Sequence, residues 1–212
     1  QEVFDLIVNA ASNEDNVFIS GESGTGKELV ALAIHKASNR KDMRFVTVNC
    51  AAIPENLIES EFFGARKGAF SGAHEDKKGY LETAHNGTLF LDEVADMDLD
   101  VQAQLLGALE TGSFLRVGGV EPVRIDIRII AATGRNLEDE VEAGRFRKEL
   151  CYQLNVVPVQ IPPLRQRRED IALLIRYFTD HYNRRYNSYK RFSEKLIGTM
   201  TAMPWKGNIR EL

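Results

Sequence analysis

The chain has 212 residues, 43% of them hydrophobic and 27% charged, with a formal net charge of −4. Such a composition is that of an ordinary globular protein of one large domain or a large and a small one, and excludes a global basic field for nucleic acid. No apolar run approaches the ~20 residues of a membrane helix and the N-terminus is no signal peptide, so a cytoplasmic protein is expected.

In chain order, the apolar run Val17-Phe18-Ile19 predicts a short buried strand leading straight into Gly21 to Glu28. Behind it Val30, Ala33, Ile34 and Ala37 fall at i, i+3, i+4, i+7, a helix with one buried face. A strand at Phe45–Val48 and a short helix after Pro54, through Glu59 and Phe62, come next. A glycine-bearing loop interrupts, and a helical piece resumes near Lys78–Ala84. Thr88-Leu89-Phe90-Leu91 is a further buried strand ending in Asp92-Glu93; Val101, Leu105, Ala108 and Leu109 mark a helix that Gly112 ends. Ile127–Ala132 and Val156–Ile161 complete the strands, the latter closed by Pro162-Pro163. Strands alternating with helices at this spacing predict a parallel α/β sheet covered on both faces. After Pro163 the pattern turns helical, with Ile171, Leu174, Ile175 and Phe178, then Leu196, Ile197 and Met200 behind a Ser193 cap. Asn208 reads as the polar cap of a helix that stops at Leu212, so the chain is expected to be part of something longer.

Gly21-Glu22-Ser23-Gly24-Thr25-Gly26-Lys27, between a strand and a helix, has the spacing of a phosphate-binding loop. Its glycines let backbone N–H groups curl around phosphate oxygens, the helix N-terminus adds its dipole, and Lys27 reaches the β- and γ-phosphates. The residue after the lysine is Glu28, so the usual Mg²⁺-binding hydroxyl is missing there. Two carboxylates at a buried strand end are costly unless a cation or a reaction uses them. Asp92 would therefore hold Mg²⁺ and Glu93 polarise an attacking water, the alternative being a helix-capping pair. Together the motifs favour ATP hydrolysis over sugar, redox or metal chemistry. Neither the cysteines, Cys50 and Cys151, nor the four histidines have metal-ligand spacing, and reduced buried thiols are expected.

Gly68-Ala69-Phe70-Ser71-Gly72-Ala73 sets one large ring among small residues, flanked by charges from Arg66 to Lys78. This reads either as a mobile loop offering Phe70 to another molecule or as a surface turn whose ring folds back onto the body.

GESGTGKE (Gly21–Glu28), GAFSGA (Gly68–Ala73), GTLFLDE (Gly87–Glu93) and GNIREL (Gly207–Leu212) resemble the signature segments of the AAA+ domain of bacterial enhancer-binding proteins, the NtrC-type activators of sigma-54 RNA polymerase. The resemblance covers essentially the whole chain, and the family too carries Glu after the loop lysine. It implies a P-loop NTPase of AAA+ fold, with an α/β subdomain at 1–163 bearing an inserted loop at 64–78, and an incomplete helical lid at 164–212. It further implies ATP and Mg²⁺ as cofactors, a homo-oligomeric ring of six or seven subunits, and a loop that grips the sigma-54 RNA polymerase holoenzyme and remodels the closed promoter complex. DNA would be met only through a C-terminal domain outside this chain. By motif, Asn49 resembles the switch asparagine that holds the catalytic glutamate, the plainer alternative being an amide capping a strand end. Thr133 resembles the sensor I residue, Arg210 the sensor II arginine and Arg147 the first arginine finger, while strand-end or solvated side chains are their plainer readings.

Three positions depart from the pattern. Gln153 stands where a second finger arginine is expected and supplies no cation, which makes Arg145 the substitute to test, and a nucleotide-binding regulatory oligomer with weak or no ATPase the alternative function. Gly134 stands where Asn or His is common, which would loosen γ-phosphate sensing, and Ser71 replaces a threonine with the loss of one methyl. A third reading, a nucleic-acid remodeller, rests on Arg165–Arg191, where eight Lys/Arg face three Asp/Glu.

Overall fold

The computed structural model describes residues 2–212 and divides into two compact units: 1–20 with 27–160, and 21–26 with 161–212. The first unit is built on five parallel strands, β1 (Val17–Ser20), β2 (Phe45–Asn49), β3 (Thr88–Asp92), β6 (Arg128–Thr133) and β7 (Val157–Gln160), in the order β2-β3-β6-β1-β7. A small antiparallel hairpin, β4 (Ser113–Leu115) with β5 (Pro122–Arg124), lies outside that sheet. Helices α1 (Glu2–Ala11), α2 (Lys27–Ala37), α3 (Glu55–Phe63), α4 (Tyr80–Thr83), α5 (Leu99–Thr111), α6 (Leu137–Glu142) and α7 (Lys148–Leu154) complete this unit.

Burial follows position in the sheet. Central β3 and β6 are apolar almost throughout: Leu89, Phe90, Leu91, Ile129, Ile130 and Ala131 are all fully buried. Each of the large side chains contributes about 1.5–3 kcal/mol by leaving water. Edge strand β2 is covered on one side, so its Thr47 and Asn49 are exposed while Val48 is buried. With every strand parallel, the C-terminal ends of β1, β2, β3 and β6 share one edge, the edge at which open α/β sheets bind ligands. Ser20 pairs with Thr133, and Asn49 with Asp92, along that edge.

The second unit carries α8 (Arg168–Tyr186), α9 (Glu194–Thr201) and α10 (Asn208–Glu211), with Leu164, Ile171, Ile175 and Ile197 as its core. Ser193 caps α9 as its sequence predicts, its side chain accepting from Leu196 N. No described helix is long and apolar enough to cross a membrane.

Several expectations change in detail. The helical piece near Lys78–Ala84 shrinks to Tyr80–Thr83. The sequence reading passes over α1, α6 and the β4–β5 hairpin. Asn208 does not cap its helix: it is the first helical residue, at φ 55°, completely buried, and its side chain bonds elsewhere.

Of the two thiols, Cys50 is buried and Cys151 partly so, and neither is paired. Burial, and then the charges of Asp92 and Asp96, push Cys50 up to about 12. A thiol above its ordinary value stays protonated through neutral pH, and the thiolate is the nucleophile. Cys50 is therefore expected to resist alkylation at pH 8 in the folded protein and to react on unfolding, as mass spectrometry of iodoacetamide-treated samples would read.

Candidate nucleotide site and loop

Within the first unit, α2 begins at Lys27, whose side chain is only 6% exposed. Its Nζ lies 3.5 Å from Glu93 Oε1. Glu93 follows β3 in a left-handed conformation, φ 50° and ψ 48°, which costs a non-glycine residue about 1–3 kcal/mol and is typical of functional sites. Its other oxygen, Oε2, accepts from Gly134 N at 3.1 Å and from Thr133 Oγ1 at 3.3 Å. Lys27, Glu93 and Thr133 are thus brought together by the ends of three neighbouring chain segments, as a phosphate-and-water site requires. The Gly134 contact is made by its backbone, so the missing Asn or His side chain does not remove it.

Asp92 behaves differently from its neighbour. Its Oδ1 is buried without a hydrogen-bond partner, and burial, followed by the Glu93 charge, raises its pKa above the ordinary carboxylate value. An orphaned buried carboxylate oxygen fits a divalent cation. Asn49 takes its plainer reading here: its Oδ1 accepts from Ala51 N at 3.1 Å, capping a short turn, and among the described residues it makes no hydrogen bond to Glu93.

In the second unit the loop Gly21–Gly26 is bound by residues far away in sequence. Arg165 makes a two-pronged ion pair with Glu22, at 2.7 and 2.6 Å, and holds its carboxyl well down, at about 2. That lowered value means the contact contributes fully above the usual carboxylate range and is lost as pH falls towards 2. Buried Asn208 donates to Glu22 Oε2 at 3.2 Å and to Ser23 O at 3.0 Å, and accepts from Leu164 N at 2.8 Å. Arg210, exposed, donates from Nη1 to Ser23 Oγ at 3.2 Å. Gly24, at φ 80°, has no room for a side chain, because a Cβ would collide with the Gly207 carbonyl oxygen. An open cleft of about 520 Å³ is lined by Glu22, Ser23, Lys206, Gly207, Arg210 and Glu211. A larger cleft of about 680 Å³ runs along α8 and α9 and contains none of the motif residues. Of the eight basic residues from Arg165 to Arg191, Arg165 and Arg167 bond the loop and Arg176 pairs with Glu194. Nothing in the local sequence marks Arg165 as a partner of the loop or Asn208 as its link to Leu164.

The hexapeptide loop is more constrained than its glycines suggest. An antiparallel bridge between Ala65 and Lys77 closes its base, and a parallel bridge joins Ala65 to Val117 beside the β4–β5 hairpin. Gly68 N donates to Ala73 O at 2.8 Å, and Ala73 N to Phe70 O at 3.0 Å. Asp76 accepts from Lys67 N and from Arg66, whose guanidinium also reaches Glu121. At Gly118, φ 71°, a Cβ would stand 2.7 Å from that of Ala69, so hairpin and loop approach as closely as glycine allows. Phe70 at the tip is 42% exposed.

The family profile "Sigma-54 interaction domain" matches residues 1–160, and the profile "AAA+ ATPase lid domain" matches residues 165–212. The chain belongs to the sigma-54 interaction domain family. The NtrC transcriptional regulator of Escherichia coli K12 is 50% identical over 213 residues, covering all of this chain and 45% of the relative. An uncharacterized Pseudomonas protein encoded 5′ of HyuA is 46% identical over all of this chain and 72% of its own length. Among solved structures, NtrX from Brucella abortus in complex with ATP matches with TM-score 0.91 and 40% identity over 99% of this chain and 48% of that one. The chain thus spans about half the length of the NtrC and NtrX relatives.

In this sigma-54 interaction domain Arg145 and Arg147 lie in the stretch between α6 and α7, and Gln153 lies on α7. Arg147 is the N-cap of α7, with extended backbone, and its Nε donates to Leu99 O at 2.8 Å. Arg145, the substitute weighed for the missing second arginine, is committed to Glu140 by bonds of 2.6 and 3.0 Å. Gln153 is partly buried on α7, its carbonyl accepting from Asn16 Nδ2 at 3.0 Å.

Proposed function

We propose that this domain hydrolyses ATP within a homo-oligomeric ring, and that its GAFSGA loop contacts sigma-54 and drives the closed promoter complex of the polymerase to the open one. The observation that carries the chemistry is the strained Glu93, held between Lys27 and the Thr133 hydroxyl and Gly134 N–H at the sheet edge. Gly21, Glu22, Ser23, Gly24, Thr25, Gly26, Lys27 and Glu28 form the nucleotide-binding segment, Lys27 facing the phosphates and Arg210 acting as sensor II. Glu93 orients and deprotonates the attacking water. Thr133 reports phosphate to it, and Asn49 takes over Glu93 in a state other than the one described. Arg147 serves the nucleotide of a neighbouring subunit.

Mg²⁺ would sit on Asp92, and when bound it neutralises charge on the transferring phosphate. Among the described residues no cluster of three or more His, Cys, Asp or Glu could hold a metal by itself, so the other ligands would be phosphate oxygens and water. Residues Gly68, Ala69, Phe70, Ser71, Gly72 and Ala73 supply the sigma-54 contact, with Phe70 at its centre.

One observation favours a second reading, a nucleotide-binding scaffold with weak hydrolysis: Gln153 offers no cation and Arg145 is already paired. Turnover per subunit measured against protein concentration separates the two. A motor is expected to rise steeply in turnover as it assembles, whereas assembled rings without turnover would establish the scaffold.

A further inference from the structure

The segment that presents Arg147 is held from behind by one side chain. Gln102, on the first turns of α5, is completely buried. Its Nε2 donates to Met97 O at 2.7 Å and to Arg145 O at 3.1 Å, and its Oε1 accepts from Arg147 N at 2.8 Å. Two carbonyls face the amide nitrogen and one N–H faces the oxygen, so only one orientation of the amide satisfies the network. A primary amide is needed for this. A carboxylate would point charge at two carbonyl oxygens, and an apolar side chain would take this partner from Met97 O, Arg145 O and Arg147 N, the first of these contacts being buried.

We propose that Gln102 is a positioning residue for the arginine finger. By gripping the backbone at 145 and 147 it fixes where α7 begins and the direction in which the Arg147 side chain leaves the chain. Leu99 O, from the same helix end, then holds the guanidinium by its Nε. Phe146, between the two gripped residues and 3% exposed, anchors the segment against the core but leaves its backbone register open. Gln102 sets that register, and Arg145 and Arg147 emerge on either side of the anchor. Arg145 is drawn off to Glu140 on its own subunit and Lys148 lies over the Tyr152 ring, which leaves Arg147 as the arginine the segment can offer a neighbour.

This inference rests on Arg147 acting on a neighbouring subunit's nucleotide, and the test separates the two claims. Gln102→Met keeps volume and removes the amide. Its rings are expected to bind a fluorescent ATP analogue within twofold of wild type while turnover falls about 100-fold or more. A finger defect lies in the donating subunit only, so mixing variants reads it directly. Rings of Gln102→Met mixed with Lys27→Ala combine an intact nucleotide site with an intact finger, and should recover turnover as far as Arg147→Ala mixed with Lys27→Ala does. Gln102→Met mixed with Arg147→Ala should stay at the Arg147→Ala level. Near-wild-type turnover by Gln102→Met, or loss of analogue binding along with turnover, overturns the inference. So does failure to recover with Lys27→Ala while Arg147→Ala recovers. If Arg147→Ala itself fails to recover with Lys27→Ala, the neighbouring-finger reading falls and this inference falls with it.

Discussion

Replacing Arg147 by alanine is expected to lower ATP turnover by assembled rings about 10³-fold or more, while nucleotide binding and assembly persist. A cation that meets charge developing on a transferring phosphate is worth on the order of 10³–10⁵ in rate. A thousandfold loss corresponds to about 4 kcal/mol of transition-state stabilisation. Two features of this chain place the full effect on one side chain. Gln153 cannot share the charge, and Arg145 is tied to Glu140 at 2.6 Å. The same geometry makes Glu140→Ala informative in the Arg147→Ala background, because freeing Arg145 would restore part of the loss only if Arg145 can reach the phosphates. Steady-state phosphate release at saturating ATP, with assembly checked by light scattering, measures both. Turnover by Arg147→Ala within tenfold of wild type would place the essential cation elsewhere.

Phe70→Ala is expected to abolish open-complex formation while ATP turnover stays within about twofold of wild type. The ring sits at the tip of a loop whose base is closed by the Ala65–Lys77 bridge, whose flank is fixed by Asp76, and whose wall is the hairpin at Gly118. None of those contacts involves the Phe70 ring, which is 42% exposed, so its truncation leaves the loop's frame in place. Removing an exposed aromatic from a loop changes folding stability little, whereas a buried aromatic at the centre of an interface is often worth 2 kcal/mol or more of binding. Heparin-resistant complexes on a sigma-54 promoter read the loss. Unchanged open-complex formation by this variant would remove Phe70 from the contact.

What the sequence makes legible follows from how local the cause is. The strand cores at Leu89–Leu91 and Ile129–Ala131 announce themselves because nearly every residue is apolar, and the phosphate loop because its glycines and lysine are contiguous. The hairpin is missed since its three-residue strands are too short for periodicity to register, and its place is set by contact with residues 64–66. Helix α1 is legible in its own residues, since Val3, Leu6, Ile7 and Ala10 fall at the spacing that marks α2; what they do not show is how it ends. Its last turn is finished by Arg128, fully buried more than 100 positions away in sequence, whose guanidinium donates to Ala10 O and Asp15 O. An arginine opening an apolar strand looks like a surface residue until the carbonyls it meets are known. Asn208 is legible as a helix signal but not as the bond between Leu164 and the loop. In Gln102 a polar residue falls on the buried stripe of an amphipathic helix, and only the three backbone groups around it explain why. At the candidate site the motifs point to Lys27, Glu93 and Thr133, which lie together at the sheet edge. That Asn49 caps its own turn is the plainer of the two readings its sequence offers, and it rests on one backbone N–H two residues on.

ATP hydrolysis by this domain is expected to do work on sigma-54 polymerase. The measurement that bears on it most directly is open-complex formation by the purified, assembled chain on a preformed closed complex, with ATP and with a non-hydrolysable analogue side by side. Open complexes with ATP alone are the predicted result. Rings that turn over ATP without opening the promoter, or that open it equally well with the analogue, would contradict it.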